Sequence, residues 1–143
     1  MKTRLSTSRI VDVYIQYSGA NFGAHIPLLP GCVATASRPT QMLHNIQEAM
    51  QWHIEAAQAD GDPLDPVFDG PYSLQFHFDP RGMLQYLHGF FTHAGLEKIT
   101  GIHQKQLQHY ASGLKKPRKA QTLKIEQALH QLGAHLQALH LEQ

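Results

Sequence analysis

The sequence predicts an α+β protein of two domains, a small β-β-β-α-β sheet domain over residues 1–79 and an all-α domain over residues 82–143. The main observation is a change of period. Apolar residues recur every second position in short segments before residue 79, and at helical spacing after residue 82. The segment Asp79-Pro80-Arg81-Gly82 between them has the turn residues expected of a boundary.

Composition sets the broad class of the protein. The chain has 143 residues, with 42% hydrophobic and 16% charged residues, which predicts folding rather than disorder. It shows no apolar run of membrane-spanning length and no signal-peptide hydrophobic region. The single cysteine, Cys32, excludes an internal disulfide and fits a reducing compartment. We therefore expect a cytoplasmic protein.

Three short strands are expected first, after a polar and frayed segment at residues 1–9. The first strand, residues 10–17, alternates most clearly, and one of its faces consists of Val11, Val13, Ile15 and Tyr17. A turn at 18–21 leads to a strand at 22–26. The Pro- and Gly-containing segment 27–31 precedes the third strand at 32–36, in which Cys32 is expected to act as a small apolar residue.

A helix and a fourth strand complete the predicted sheet domain. Ser37 is the expected N-cap, and Pro39 is tolerated in the first turn. The apolar stripe of the helix is Leu43, Ile46, Met50, Ile54 and Ala57. Trp52 is expected to be a core residue or an interface anchor. Residues 60–71, rich in Asp, Gly and Pro, predict a loop before a strand at 72–78 with one apolar face.

Helices are predicted throughout the second domain. Residues 83–93 form the first, with Leu84, Leu87 and Phe91 inward, and Leu96–Thr100 is a short second helix. A third follows Gly101. The last begins after Pro117 and extends as far as Leu139, with an apolar face formed by Leu123, Ile125, Ala128, Leu129, Leu132 and Leu136.

Residues 95–119 carry the strongest functional signal, a helix-turn-helix followed by a basic loop. Gly101 permits the tight turn, Ile102, Leu107 and Tyr110 face inward, and Gly113 ends the second helix. Gln and Lys can bond to base edges in the major groove of DNA, and loop cations can contact phosphates. The predicted DNA-binding residues are His103, Gln104, Lys105, Gln108, His109, Lys115, Lys116 and Arg118. The alternative is a helical hairpin used for protein contact.

Charge is divided unequally along the chain. Residues 1–80 hold four Lys or Arg and eight Asp or Glu, a net charge of −4, whereas residues 81–143 hold eight against three, or +5. The basic half suits a polyanion and the acidic half suits a basic protein partner. Alternatively, the two oppositely charged halves dock on each other.

Residues 83–133 resemble the phage-repressor (Cro/XRE-type) helix-turn-helix. The matched positions are Gly101-Ile102, Leu107, Tyr110, Ser112-Gly113, Lys116-Pro117, Ile125 and Ala128-Leu129. The resemblance implies that Gln104, Lys105 and His109 face base edges, that His103 lies at the rim, and that Lys116 and Arg118 contact phosphate. The sequence departs from the family at Ile99-Thr100, where Ala and a polar residue are more common.

Residues 10–58 are similar to HicB-type antitoxins, through the segment Phe22 to Ala34 with its Pro30-Gly31-Cys32, and through Asn45, Glu48-Ala49 and Met50. The residues after Cys32 are less acidic than usual. The resemblance implies a truncated ribonuclease H-like fold without catalytic activity. It implies an antitoxin that binds and neutralises a small, basic, mRNA-cleaving ribonuclease toxin of the HicA type and represses its own operon. Because repressors of this type need two recognition helices about 34 Å apart, we expect a homodimer or homotetramer.

Other functions remain open at this stage. An orphan transcriptional regulator with a ligand- or protein-sensing first domain is the main alternative, and an apolar pocket between sheet and helix would favour it. A nuclease is disfavoured because no strands carry clustered carboxylates. His88 and His93, like His130 and His135, are five residues apart, so we expect no metal, and no cofactor is indicated. The sequence does not specify the toxin-binding residues.

Three segments could form the seam of an oligomer. The edges of strands Val11–Tyr17 and Tyr72–Phe78 could pair across a two-fold axis. The tail Leu132–Leu141 is the third candidate.

Overall fold

The computed structural model describes residues 9–143, which have a mixed α/β fold with a four-stranded sheet and five α-helices. One compact unit ends at Phe78 and a second begins at Asp79. The predicted frayed segment, with Lys2 and Arg4, lies outside the described residues except for Arg9, which begins the first strand.

The sheet has the strand order β3-β2-β1-β4. Its strands are β1 (Arg9–Tyr17), β2 (Phe22–His25), β3 (Val33–Ala36) and β4 (Tyr72–Phe78). β1 is antiparallel to β2 and parallel to β4, and it aligns Val11 with Leu74 and Val13 with Phe76. The predicted element order is confirmed. Because β1 lies between β2 and β4, the prediction that it offers a free edge is wrong, whereas β4 is an outer strand.

Helix α1 (Pro39–Asp60) packs against β2 and β3. Met42 and Ile46 are fully buried, while Leu43, Ile54 and Ala57 of the predicted stripe are only half-buried. Because α1 packs against β2 and β3, its buried stripe includes Met42, Ile46 and Met50 and is rotated away from the predicted Leu43 and Ile54. The predicted N-cap is also wrong. Arg38 occupies that position without a capping side-chain bond, and Pro39 begins the helix.

The second unit contains α2 (Pro80–Leu87), α3 (His93–Thr100), α4 (Gln104–Ser112) and α5 (Lys119–Gln137). The predicted continuous helix over 83–93 is wrong. Asp79 starts α2 early, because its carboxylate accepts a hydrogen bond from the N–H of Gly82 at 3.3 Å. Thr92 starts α3, because its hydroxyl accepts from the N–H of Gly95 at 3.0 Å. The chain between the end of α2 at Leu87 and the cap at Thr92 is not helical.

All four helices of the second unit contribute to one core. Its buried members are Leu84, Leu96, Ile102, Leu107, Tyr110, Ala111 and Ile125, with Met83, Leu87, Phe91 and Leu129 packed against them. This confirms the inward positions predicted for residues 83–93 and for the helix after Gly101. Two positions predicted for the apolar face of α5 are wrong, since Leu123 and Leu136 are 44% and 52% exposed.

Candidate nucleic-acid interface

The connection between α3 and α4 is a tight turn. Gly101 has φ +73°, in the left-handed region that a side chain disfavours, and its N–H donates to the carbonyl of Glu97 at 2.8 Å. The buried hydroxyl of Thr100 donates to the carbonyl of Leu96 at 2.7 Å and accepts from the N–H of Ile102 at 3.1 Å. Thr100, which departs from the family pattern, therefore bonds to both sides of the turn.

The first turn of α4 is fixed by His103. This residue is the N-cap, and its Nδ1 accepts a hydrogen bond from the backbone N–H of Lys105 at 3.1 Å. Leu107 is fully buried and Tyr110 nearly so, which sets the rotation of the helix about its axis. The opposite face of α4 is therefore presented to solvent.

Four of the predicted DNA-contacting side chains on this segment are exposed, namely His103, Gln104, Lys105 and Gln108. We call these four residues the α4 row. They offer amide, ammonium and imidazole groups of the kind that bond to base edges. His109 differs from the prediction, because it is half-buried and its Nδ1 is enclosed without a hydrogen-bond partner.

Beside α4 lies a cleft of about 510 Å³ that is lined in part by cationic side chains. We call it the basic cleft. Its lining consists of Gln106, Tyr110, Lys115, Lys116, Arg118 and Gln121. The amide of Gln106 donates to the Tyr110 hydroxyl at 2.8 Å. The sequence interpretation missed Gln106 and Gln121. The spacing of Gln106 and Tyr110, one helical turn apart, is the signal that could have indicated the first.

Backbone polarity adds to the positive charge of the basic cleft. Arg118 is the N-cap of the 19-residue helix α5 but provides no capping bond, and neither α4 nor α5 has an acidic residue in its first turn. The free N–H groups and the dipole at a helix start attract anions. The N–H of Lys115 donates to the carbonyl of His109 at 3.2 Å, which ties the basic loop to α4. The cleft is thus suited to a phosphate group.

Gly113 connects α4 to this loop in a backbone conformation that favours glycine. Its φ is +82°, and a Cβ atom at this position would lie 3.3 Å from the guanidinium of Arg81. Arg81 therefore packs closely at the end of α4 and adds a further positive charge near the interface.

No family model, curated protein or solved structure matches this chain. Within residues 9–143, no three His, Cys, Asp or Glu side chains are grouped so that they could hold a metal ion. No helix of the described chain is long and apolar enough to cross a membrane.

The sheet unit has a different surface. A groove of about 690 Å³ lies between α1 and β4, and its lining consists of Leu43, Gln47, Met50, Gln51, Ile54, Glu55, Tyr72, Leu74 and Phe76. Trp52 is 69% exposed, so the predicted core role is wrong, and the role of an interface anchor stays a prediction. Cys32 is buried as a small apolar residue, and burial raises the pKa of its thiol, which disfavours the nucleophilic thiolate.

Proposed function

We propose that this chain is a DNA-binding repressor in which α3 and α4 form a helix-turn-helix of the phage-repressor type. The observation that carries the proposal is the α4 row, which is exposed on a helix whose opposite face is fixed by Leu107 and Tyr110. In this arrangement α4 lies in the major groove, where Gln104 and Lys105 bond to base edges.

The basic cleft binds the DNA backbone in this proposal. Lys115, Lys116 and Arg118 line the cleft, and Arg118 precedes α5 without a side-chain capping bond, so that cationic side chains and backbone N–H groups can contact phosphate oxygens together. Such contacts are independent of sequence and weaken with salt, because binding releases counterions from the DNA.

We further propose that the sheet unit binds a small basic ribonuclease toxin, as in HicB-type antitoxins with a truncated ribonuclease H-like domain. Support comes from charge, since residues 9–78 contain seven Asp or Glu and only two Arg. Four of the acidic residues are exposed, Asp60 at the end of α1 and Asp62, Asp65 and Asp69 between α1 and β4. The role of this unit is binding, not catalysis.

Titration of a labelled promoter duplex with the full chain tests the DNA-binding proposal. The duplex should come from the DNA upstream of the gene, and a shuffled duplex of equal composition is the control. We expect tighter binding to the promoter and a steep loss of affinity with salt for both duplexes. Equal affinity for both duplexes at every salt concentration would argue against sequence recognition.

Co-expression tests the antitoxin proposal. If the adjacent reading frame encodes a short basic protein, induction of that protein alone should arrest growth. Co-expression of the full chain should restore growth, and the two proteins should co-purify. A neighbouring protein that is harmless, or toxic and not neutralised, contradicts this part of the proposal and leaves the DNA-binding part intact.

The groove between α1 and β4 supports a second candidate function, a regulator that senses a small apolar ligand. Its apolar walls, including Leu74 and Phe76, and its volume of about 690 Å³ are within the range of ligand sites. An environment-sensitive apolar dye provides the test. Two results would favour the sensor over the antitoxin: saturable dye binding that the Phe76→Gln variant abolishes, and a change in the promoter affinity of the chain when the dye is bound.

A further inference from the structure

Strand β3 is an outer strand of the sheet, and its outer edge lies beside helix α1. Within the described chain, β3 pairs with β2 on one side only. On the other side is a groove of about 280 Å³. The strand wall of this groove is Val33, Ala34 and Thr35, and Val33 is 64% exposed. The backbone N–H and C=O groups along such an edge are a template for a further strand.

The helix wall of the groove consists of Asn45, Glu48, Ala49 and Trp52. These positions are spaced as i, i+3, i+4 and i+7, so they form one face of α1 over two helical turns. The side-chain amide of Asn45 donates to the carbonyl of Thr35 at 2.9 Å, which ties the helix to the strand. The helix face is about 10 Å long, which matches roughly three residues of extended chain.

The shape of the groove favours an extended peptide over a small ligand. Its volume of about 280 Å³ is below the roughly 300–1,000 Å³ of most ligand pockets. A strand that adds to the edge gains backbone hydrogen bonds from β3, and its alternate side chains face the helix. Ala49 and the exposed ring of Trp52 offer one of those side chains an apolar contact.

Charge indicates the chemistry of the bound segment. Glu48 is the one formally charged residue among the described residues that line the groove. The acidic residues of α1 are Glu48, Glu55 and Asp60, and the helix has no Lys or Arg. The imidazole of His44 lies 3.5 Å from the Glu48 carboxylate, but both side chains are more than half exposed. A Lys or Arg of a partner can therefore replace this weak contact.

A second copy of this chain fits the edge less well than a basic partner does. Its own β3 has no basic residue to pair with Glu48. Pairing of two β3 edges would also bring a second acidic α1 toward the first, and like charges disfavour this arrangement.

We propose that the edge of β3 and the adjoining face of α1 bind an extended segment of a protein partner as a further strand of the sheet. An apolar residue of the segment contacts Ala49 and Trp52, and a Lys or Arg on the same side of the segment pairs with Glu48. The inference rests on the proposed binding of a basic protein by the sheet unit, and it specifies the surface and the form of the bound segment.

Fluorescence of the full chain tests this surface directly, because Trp52 is its single tryptophan. The probe is a blocked peptide of sequence Thr-Lys-Thr-Val-Thr-Lys-Thr, which as a strand presents Lys, Val and Lys on one side. We expect a saturable blue shift of the Trp52 emission as the ring leaves water. Glu48→Gln should weaken binding about two- to fivefold, the range for an exposed ion pair. Glu55→Gln removes an exposed charge from the same helix outside this groove and should change the affinity less.

Two altered peptides test the parts of the proposal. Replacement of both Lys by Glu should abolish the shift. N-methylation of the three central residues should abolish it as well, because it removes backbone donors on both edges of the strand. The inference is overturned if the original peptide causes no saturable shift up to millimolar concentration, or if the N-methylated peptide binds equally well. A shift of the Trp52 emission when the chain alone is concentrated would assign the edge to a second copy and overturn it too.

The proposed toxin binding and this surface can fail separately. If Trp52→Ala with Glu48→Gln neutralises the toxin as well as the wild type does, the surface alone is contradicted. If the peptide binds at Trp52 but the adjacent reading frame encodes no toxin, the toxin proposal alone is contradicted. Both side chains are exposed, so the double variant should fold, and a circular dichroism spectrum checks this.

Discussion

The Nδ1 atom of His103 accepts a hydrogen bond from the backbone N–H of Lys105 at 3.1 Å. This bond caps the first turn of α4 and requires a neutral ring with its proton on Nε2. Because His103 is exposed, the Nε2–H remains available as a donor to a phosphate. A single side chain thus links the stability of α4 to the position of the α4 row.

Replacement of His103 should separate these two roles. His103→Ala removes the cap and should lower the free energy of unfolding by about 1 kcal/mol, whereas His103→Asn retains a capping acceptor and should cost less. Both variants lose the ring donor, so both should bind DNA more weakly. Urea denaturation and promoter titration measure the two effects. An alanine variant as stable as the wild type would show that the cap contributes nothing.

Truncation of the α4 row should reduce sequence preference. Gln104→Ala and Lys105→Ala each remove groups that can bond to a base edge, and each should cost about 1–3 kcal/mol of discrimination between promoter and shuffled duplex. Both side chains are exposed, so the free energy of unfolding should not change. The prediction fails if the ratio of the two affinities stays at the wild-type value in both variants.

Loss of a charge in the basic cleft should weaken DNA binding without changing the preference for the promoter sequence. Lys116→Ala should weaken binding to every duplex by a similar factor and reduce the slope of log affinity against log salt by about 1. Lys124→Ala removes the same charge from an exposed position on α5 outside the cleft lining and is the matched control. Equal salt slopes for the two variants would argue against a phosphate contact at the cleft.

Stability should decrease at acidic pH partly through His93. Burial lowers the pKa of this imidazole, and the neighbouring His88, whose ring centroid is 4.9 Å away, lowers that pKa further. The unfolded chain therefore takes up this proton first as the pH falls. The contribution to stability is complete above the unfolded pKa of about 6.5 and is lost as the pH falls through the lower folded pKa.

Urea denaturation across this pH range measures the effect. His93→Gln should reduce the loss of stability at acidic pH, and His88→Gln should reduce it by less, since burial is the larger cause of the pKa shift. If His93→Gln loses as much stability as the wild type over the same interval, the acid sensitivity arises from other groups.

Periodicity predicted most of the elements because one face of each is buried. The alternation of Val11, Val13 and Ile15 specified β1, and the positions of Leu107 and Tyr110 specified the rotation of α4. Periodicity failed between residues 83 and 93, where Leu84, Leu87 and Phe91 keep helical spacing across a break. Only the capping bonds of Asp79 and Thr92 reveal the two helices there.

Tertiary contacts decided the features that the sequence did not predict. The buried side of α1 depends on which strands the helix covers, so Met42 is buried and Leu43 is not. The basic loop was predicted from its composition. The cleft that it forms with Gln106 and Gln121 depends on where α5 begins relative to α4. The cap at His103 was not predicted either, because histidine is not among the preferred N-cap residues.

The most direct test is a nuclear magnetic resonance titration of the isotope-labelled full chain with its promoter duplex. If α4 reads DNA, backbone amide signals of residues 103–109 and 115–119 should shift saturably. A shuffled duplex should shift mainly the second group, because phosphate contacts do not depend on sequence. Shifts confined to the sheet unit, or none in residues 103–109 at saturating promoter DNA, would contradict the central claim.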